Sequence, residues 1–104
     1  MTEPLSNGQA VDAADIARAV TAGVLRYGDG ARQVFEASGT TTYTEGSSDT
    51  RGTWSVEDGR FCSFWPPSFR AWYELRWIVE NGVVVGLTFI DPARGSRFDG
   101  WYER

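Results

Sequence analysis

The chain predicts an α+β fold: one N-terminal helix packed on a curved antiparallel meander sheet of six to seven strands, half-barrel-like in form. Three observations carry that expectation. Twelve of the fifteen aromatic residues, all five tryptophans among them, fall between Trp54 and Tyr102. They sit on short alternating segments separated by turn signals such as Glu57-Asp58-Gly59-Arg60 and Glu80-Asn81-Gly82, and period-two alternation marks a strand with one buried face. Ahead of them, one stretch spaces its apolar residues for a helix instead.

At 104 residues the chain is one domain. Residues 1–10, with Pro4, Ser6, Asn7 and Gly8, form a flexible lead-in to a domain over 11–104. Asp12 suits an N-cap, Asp15 complements the positive end of a helix, and Val11 with Ile16 fits a hydrophobic staple. Ile16, Val20 and Val24, flanked by Ala13, Ala17 and Leu25, make one apolar stripe, and Tyr27-Gly28-Asp29-Gly30 stops the helix. Beyond Ala31 the strands are expected at 31–37, 40–45, 51–57, 60–65, 70–80, 83–90 and 96–103. Asp58-Gly59 and Asn81-Gly82 are strong hairpin signals, because both turn positions need positive φ. Short joints make consecutive strands neighbours. In 70–80 the alternation places Ala71, Tyr73, Leu75, Trp77 and Val79 on the buried face, with Trp72, Glu74 and Arg76 opposite. The segment Gly46-Ser47-Ser48 reads as a mobile connection.

Fourteen carboxylates stand against ten arginines, with no lysine and no histidine, for a net charge of −4. Scattered arginines on an acidic chain do not make the clustered basic face that nucleic acid requires, so no nucleic-acid partner is expected. Without histidine, the commonest metal ligand and the side chain that titrates near neutrality are both missing. No metal or other cofactor is expected. One cysteine, Cys62, rules out an internal disulfide. No apolar run approaches membrane-spanning length, and the polar N-terminus carries no secretory pattern. The expectation is a soluble cytoplasmic protein with no membrane partner.

Few residues suggest chemistry. Cys62 lacks a histidine to activate it and reads as a buried, inert thiol. Glu74, between Trp72 and Arg76 on one strand face, is the best carboxylate for acid–base work, but a wet face with cross-strand ion pairs explains the same residues. Asp58, Asp91 and Asp99 fall in or near turns, where aspartate bonds locally. Gly28-Asp29-Gly30 follows a helix and precedes a strand, the reverse of the order that aims a helix N-terminus at phosphate. What remains is the aromatic face. Trp54, Tyr73, Trp77 and Phe89 are the expected ligand-contacting walls of a cup, unless the helix fills it through Ile16, Val20 and Val24.

The stretch from Gly52 to Trp65, with Gly52-Thr53-Trp54, Asp58-Gly59 and Phe61-Cys62, resembles a family of small uncharacterised bacterial proteins. Their recurrent core is a Gly-x-Trp strand, an Asp-Gly turn and an aromatic-Cys strand ending near a Trp. The likeness spans roughly residues 35–102 and includes Gly100-Trp101-Tyr102. It implies the fold and no assigned chemistry. Members often carry a second cysteine after the Trp-Pro turn and an export signal; here Trp72-Tyr73 stands in that region and no signal is present. Gly52-Thr53-Trp54 is also similar to the element that opens lipocalin-like barrels, although two strands precede it here. The run Asn81 to Asp91 is similar to a segment of nuclear-transport-factor-2/SnoaL-like domains, which normally carry about three helices.

The leading expectation is therefore a non-enzymatic module binding a small apolar ligand. Homo-oligomerisation or protein interaction is the alternative, through exposed sheet edges at the threonine-rich strands and at the C-terminal strand ending at Arg104.

Overall fold

The computed structural model describes residues 5–103. A turn of 3₁₀ helix, Ala13–Asp15, runs into α1, Ile16–Thr21. Eight strands follow: β1 (Leu25–Tyr27), β2 (Arg32–Phe35), β3 (Thr40–Glu45), β4 (Ser48–Glu57), β5 (Arg60–Trp65), β6 (Phe69–Glu80), β7 (Val83–Ile90) and β8 (Arg97–Tyr102). Each pairs antiparallel with the next, and β1 pairs with β8, so the sheet is a closed barrel.

Closure overturns the expectation of an open, half-barrel α+β sheet of six to seven strands. The structure is mostly β, and the decisive element is the short strand β1. Its residues Leu25, Arg26 and Tyr27 pair with Tyr102, Trp101 and Gly100, while Leu25 and Arg26 also face Gln33 and Arg32 of β2. Leu25 fits the helical stripe by spacing, yet the helix ends at Thr21 and Leu25 is a fully buried strand residue. Sheet pairing on both sides gives residues 25–27 more than another helical turn would. Closure also removes the proposed free edges: β3 lies between β2 and β4, and β8 between β7 and β1. Arg104 lies outside the described residues.

The hairpins follow local chemistry. Asp58 and Gly59 have φ of 53° and 73°, and Asn81 and Gly82 have 52° and 76°, the positive pairs that tight two-residue hairpins require. The connection at Gly46-Ser47 is equally tight, so β4 begins at Ser48 rather than at 51.

Because strands alternate in direction, the β1–β2, β3–β4, β5–β6 and β7–β8 hairpins share one end. The helix lies at the other, where Gly59 approaches Ala13. Asp12 occupies the N-cap position without a side-chain cap bond, and Asp15 pairs with Arg18 at 3.0 Å. Ile16, Ala19 and Val20 enter the core with Val11, Leu25, Leu75, Trp77 and Leu87. The hydroxyl of Tyr102 donates to the Ala19 carbonyl and ties helix to barrel. Strand β5 reaches only Phe69 to Tyr73 of β6. The exposed edge beyond is taken by the lead-in: Gly8 N donates to Trp77 O, Trp77 N to Gln9 O and Val11 N to Leu75 O, each at 2.9 Å. Asn7 Oδ1 accepts from Val79 N at 2.9 Å. Residues 1–4 of the lead-in lie outside the described residues. No helix among the described residues is long and apolar enough to cross a membrane.

Candidate functional site

The helix closes one end of the barrel and leaves the other open. Inward-facing residues at the open end surround a cavity of about 440 Å³, within the size range of small-molecule sites. Its inner wall is aromatic. Phe89 is the hub, with ring centroids 5.7 Å from Phe61, 6.1 Å from Phe35, 6.1 Å from Tyr73 and 6.4 Å from Tyr27. These are offset and edge-on contacts of the kind aromatic pairs prefer. Tyr43, Trp65 and Phe98 carry the wall outward, and Phe98 is 48% exposed.

The polar groups are few and set apart. Tyr27 donates its hydroxyl to Gln33 Oε1 at 2.7 Å. Gln33 Nε2 donates to Thr41 Oγ1 at 2.9 Å, and Thr41 in turn donates to the Val34 carbonyl at 2.9 Å. This chain of bonds satisfies the buried glutamine and fixes the Tyr27 ring at the wall. Ser63 differs. It is 3% exposed, lines the cavity between Phe61 and Trp65 along β5, and its hydroxyl meets no protein hydrogen-bond partner. At the mouth stand two carboxylates, Asp29 in the β1–β2 hairpin and Glu45 at the end of β3. Asp29 Oδ1 accepts from Ala31 N at 3.0 Å, which pins that hairpin.

The phenols register this surrounding. Burial pushes Tyr27 well above its ordinary pKa, and Tyr43, Tyr73 and Asp29 push the same way. Tyr43 is raised by burial, then by Asp29 and Glu45. Tyr73 is raised by burial and by Asp91, with Arg94 opposing. All three phenols are therefore neutral hydroxyls near neutral pH and face an electronegative rim.

The sequence-predicted walls separate into two groups. Tyr73 and Phe89 line the cavity. Trp54 lies behind it, packed on Phe61 and Phe35 at 6.3 and 6.4 Å, with its Nε1 donating to the Glu36 carbonyl at 2.8 Å. Trp77, 5% exposed, belongs to the helix-filled end. Ile16 and Val20 do plug the barrel, but from that end only. Tyr27, Asp29, Gln33, Phe35, Tyr43, Glu45, Phe61 and Ser63 are cavity residues that sequence reasoning did not single out. For Phe35, Tyr43 and Ser63 the signal was inward strand parity; for Tyr27 and Asp29 it was hidden by reading residues 24–30 as a helix end.

The other candidates stand elsewhere. Glu74 and Arg76 are 4.0 Å apart on the outer face, both substantially exposed, and Arg76 Nη1 donates to the Gly8 carbonyl at 3.0 Å. Arg76 thus holds the lead-in, and neither residue lines the aromatic cavity. Cys62 is buried on the outer side of β5, within 3.4 Å of Arg70 Nη1. Arg60 instead stacks on Trp72, 4.6 Å from the ring centre. Among the described residues no group of histidine, cysteine and carboxylate side chains could hold a metal. Comparison with protein-family models, with curated proteins and with solved structures finds no match for this chain.

Proposed function

We propose that the protein is a non-enzymatic binding module that holds one small, largely apolar molecule in the open end of its barrel. One observation carries this reading: the helix fills only one end, and the other retains an aromatic-walled cavity of about 440 Å³. Fold-level analogy points the same way. An eight-stranded barrel is just wide enough either to be filled by side chains or to hold one small ligand, as lipocalins do. The few cavity polar groups, Ser63, Gln33 and the tyrosine hydroxyls, are the sparse orienting set that such sites use. Self-association, the alternative reading, rested on sheet edges that barrel closure removes, and Glu74 and Arg76 lie on the exposed outer face, outside the aromatic cavity.

A neutral environment-sensitive probe, N-phenylnaphthylamine, tests the reading. Its fluorescence is expected to rise saturably with the wild-type protein and to be displaced by small apolar molecules. Thr50→Trp, at a rim position lining the cavity, is expected to abolish the rise without lowering the melting temperature. Saturable binding that Thr50→Trp leaves intact would place the probe elsewhere and refute the reading; absence of any binding would refute it as well.

A further inference from the structure

The rim chemistry specifies the charge of the occupant, and this step rests on the binding-module reading. Every charged residue that lines the cavity is acidic: Asp29 and Glu45. Among the described residues neither takes part in an ion pair, whereas Asp91, in the neighbouring β7–β8 loop, is neutralised by Arg94 at 2.9 Å. Arg94 follows Asp91 in the same loop. It is held by that carboxylate and stacks 5.0 Å from the centre of the Phe69 ring, so it is not presented to the cavity as an anion receptor. Beside the two carboxylates lie the rings of Tyr27 and Tyr43, 6.1 Å apart and tilted by 39°. Carboxylates beside open aromatic faces form the environment that attracts an ammonium group, through Coulomb attraction and the ring quadrupole together.

Ser63 supplies an independent requirement. A buried hydroxyl with no protein partner, on the inward face of β5 between the deep Phe61 and the rim-side Trp65, calls for a hydrogen-bonding atom that an occupant would supply. The acidic rim and the orphan hydroxyl lie at different levels of one cavity, and a single elongated molecule meets both.

We propose that the cavity takes a cationic arylalkylamine: its ammonium between Asp29, Glu45, Tyr27 and Tyr43, its ring against Phe61, Phe89 and Tyr73, and a ring polar atom bonded to Ser63. An organic carboxylate of the same size is disfavoured by the rim, because it would enter beside two like charges and no cationic residue lines the cavity.

Three probes share one indole ring and differ only in the head group: tryptamine, tryptophol and indoleacetate. Each carries the ring N–H that Ser63 Oγ accepts. Titration calorimetry of the wild-type protein at low ionic strength is expected to show tryptamine binding at least tenfold more tightly than tryptophol, and indoleacetate most weakly. In Asp29→Asn/Glu45→Gln the ratio of tryptamine to tryptophol affinity is expected to fall below about threefold, because the neutral isosteres keep the shape and lose the charge. Ser63→Ala is expected to weaken tryptamine and tryptophol alike and leave their ratio in place. Equal affinities for all three probes, or a preference for indoleacetate, would overturn the cationic assignment while leaving the binding-module reading intact. Failure of all three to bind while N-phenylnaphthylamine still does would overturn it in the same way. Failure of every probe, N-phenylnaphthylamine included, would remove the reading beneath it.

Discussion

Replacing Ser63 by alanine is expected to leave the empty protein as stable as before or to stabilise it, the reverse of the usual result for a buried polar residue. The serine hydroxyl is buried on the inner face of β5, opposite Trp54 on β4 and Ala71 on β6, and no protein group bonds to it. Burying a hydroxyl without a partner costs ~1–3 kcal/mol by protein mutational measures. Removing one oxygen leaves a void smaller than a methyl group, for which the packing loss is less than ~1 kcal/mol. The difference runs from neutral to a gain of roughly 2 kcal/mol, and each kcal/mol corresponds to about 4–8 °C in melting temperature for a domain near this size. Urea unfolding is the assay, with an unchanged denaturant slope required so that the midpoint reports stability alone. Thr41 is the control. It too is buried, but it donates to Val34 O and accepts from Gln33 Nε2, so Thr41→Val is expected to lose ~1–3 kcal/mol. Should Ser63→Ala lose more than ~1 kcal/mol, the hydroxyl is already satisfied in the empty protein, and it ceases to argue for a polar atom on the ligand.

Three further outcomes follow from the same geometry. A Cβ added at Gly52 would sit 2.5 Å from the Phe64 carbonyl oxygen and 2.7 Å from Trp65 Cε3; because the first is backbone, Gly52→Ala is expected to destabilise by ~1–3 kcal/mol, read by thermal unfolding. Glu103 is held below the ordinary carboxylate range by its side-chain bond from Arg32, with burial opposing and Arg26 adding to the depression. A depressed folded pKa gives stability that is present above the unfolded value and is lost as pH falls through the folded one, so Glu103→Gln should flatten the acid limb of melting temperature against pH. Tyr27 has the opposite sign: its raised pKa gives stability that is present below the ordinary phenol value of about 10 and is lost as pH rises toward the folded value. Tyr27→Phe should therefore shift the alkaline unfolding midpoint upward, while at neutral pH it leaves Gln33 Oε1 without its donor and costs ~1–2 kcal/mol.

Seven of the eight strands were legible in the chain because each carries its own evidence. Alternation in residues 70–80 separates Ala71, Leu75 and Trp77 from Trp72, Glu74 and Arg76, and Asp58-Gly59 and Asn81-Gly82 mark their own turns. Strand β1 was not legible. Three residues hold too little pattern to oppose a helical stripe that includes Leu25, and the partners that make them a strand, Gly100 to Tyr102, lie over seventy residues away. That local misreading had a global consequence, since without β1 the sheet has two edges and no barrel. The site suffered likewise. Tyr73 and Phe89, which line the cavity, alternate on long strands, whereas Trp54 and Trp77 share their inward parity yet lie elsewhere. Parity tells which face a residue occupies, and only closure tells how far along the barrel it sits.

The position of the open space follows from the size of the helix. Six α-helical residues extend about 9 Å at 1.5 Å per residue, enough to cap one mouth and too little to fill the length of the barrel. Against that plug the interior is closed by branched aliphatics, Leu25, Leu75 and Leu87, packed with Val20 of the helix. Further out the lining changes to rigid rings, Phe35, Phe61, Phe89, Tyr73 and Tyr27. The Tyr27 ring is braced against collapse by the Tyr27–Gln33–Thr41 chain of hydrogen bonds. Stacked, tilted and edge-on contacts hold these rings against one another around the open interior. The change from leucine to tyrosine along the barrel, ending at the Asp29 and Glu45 rim, is the arrangement on which the proposed binding-module reading rests.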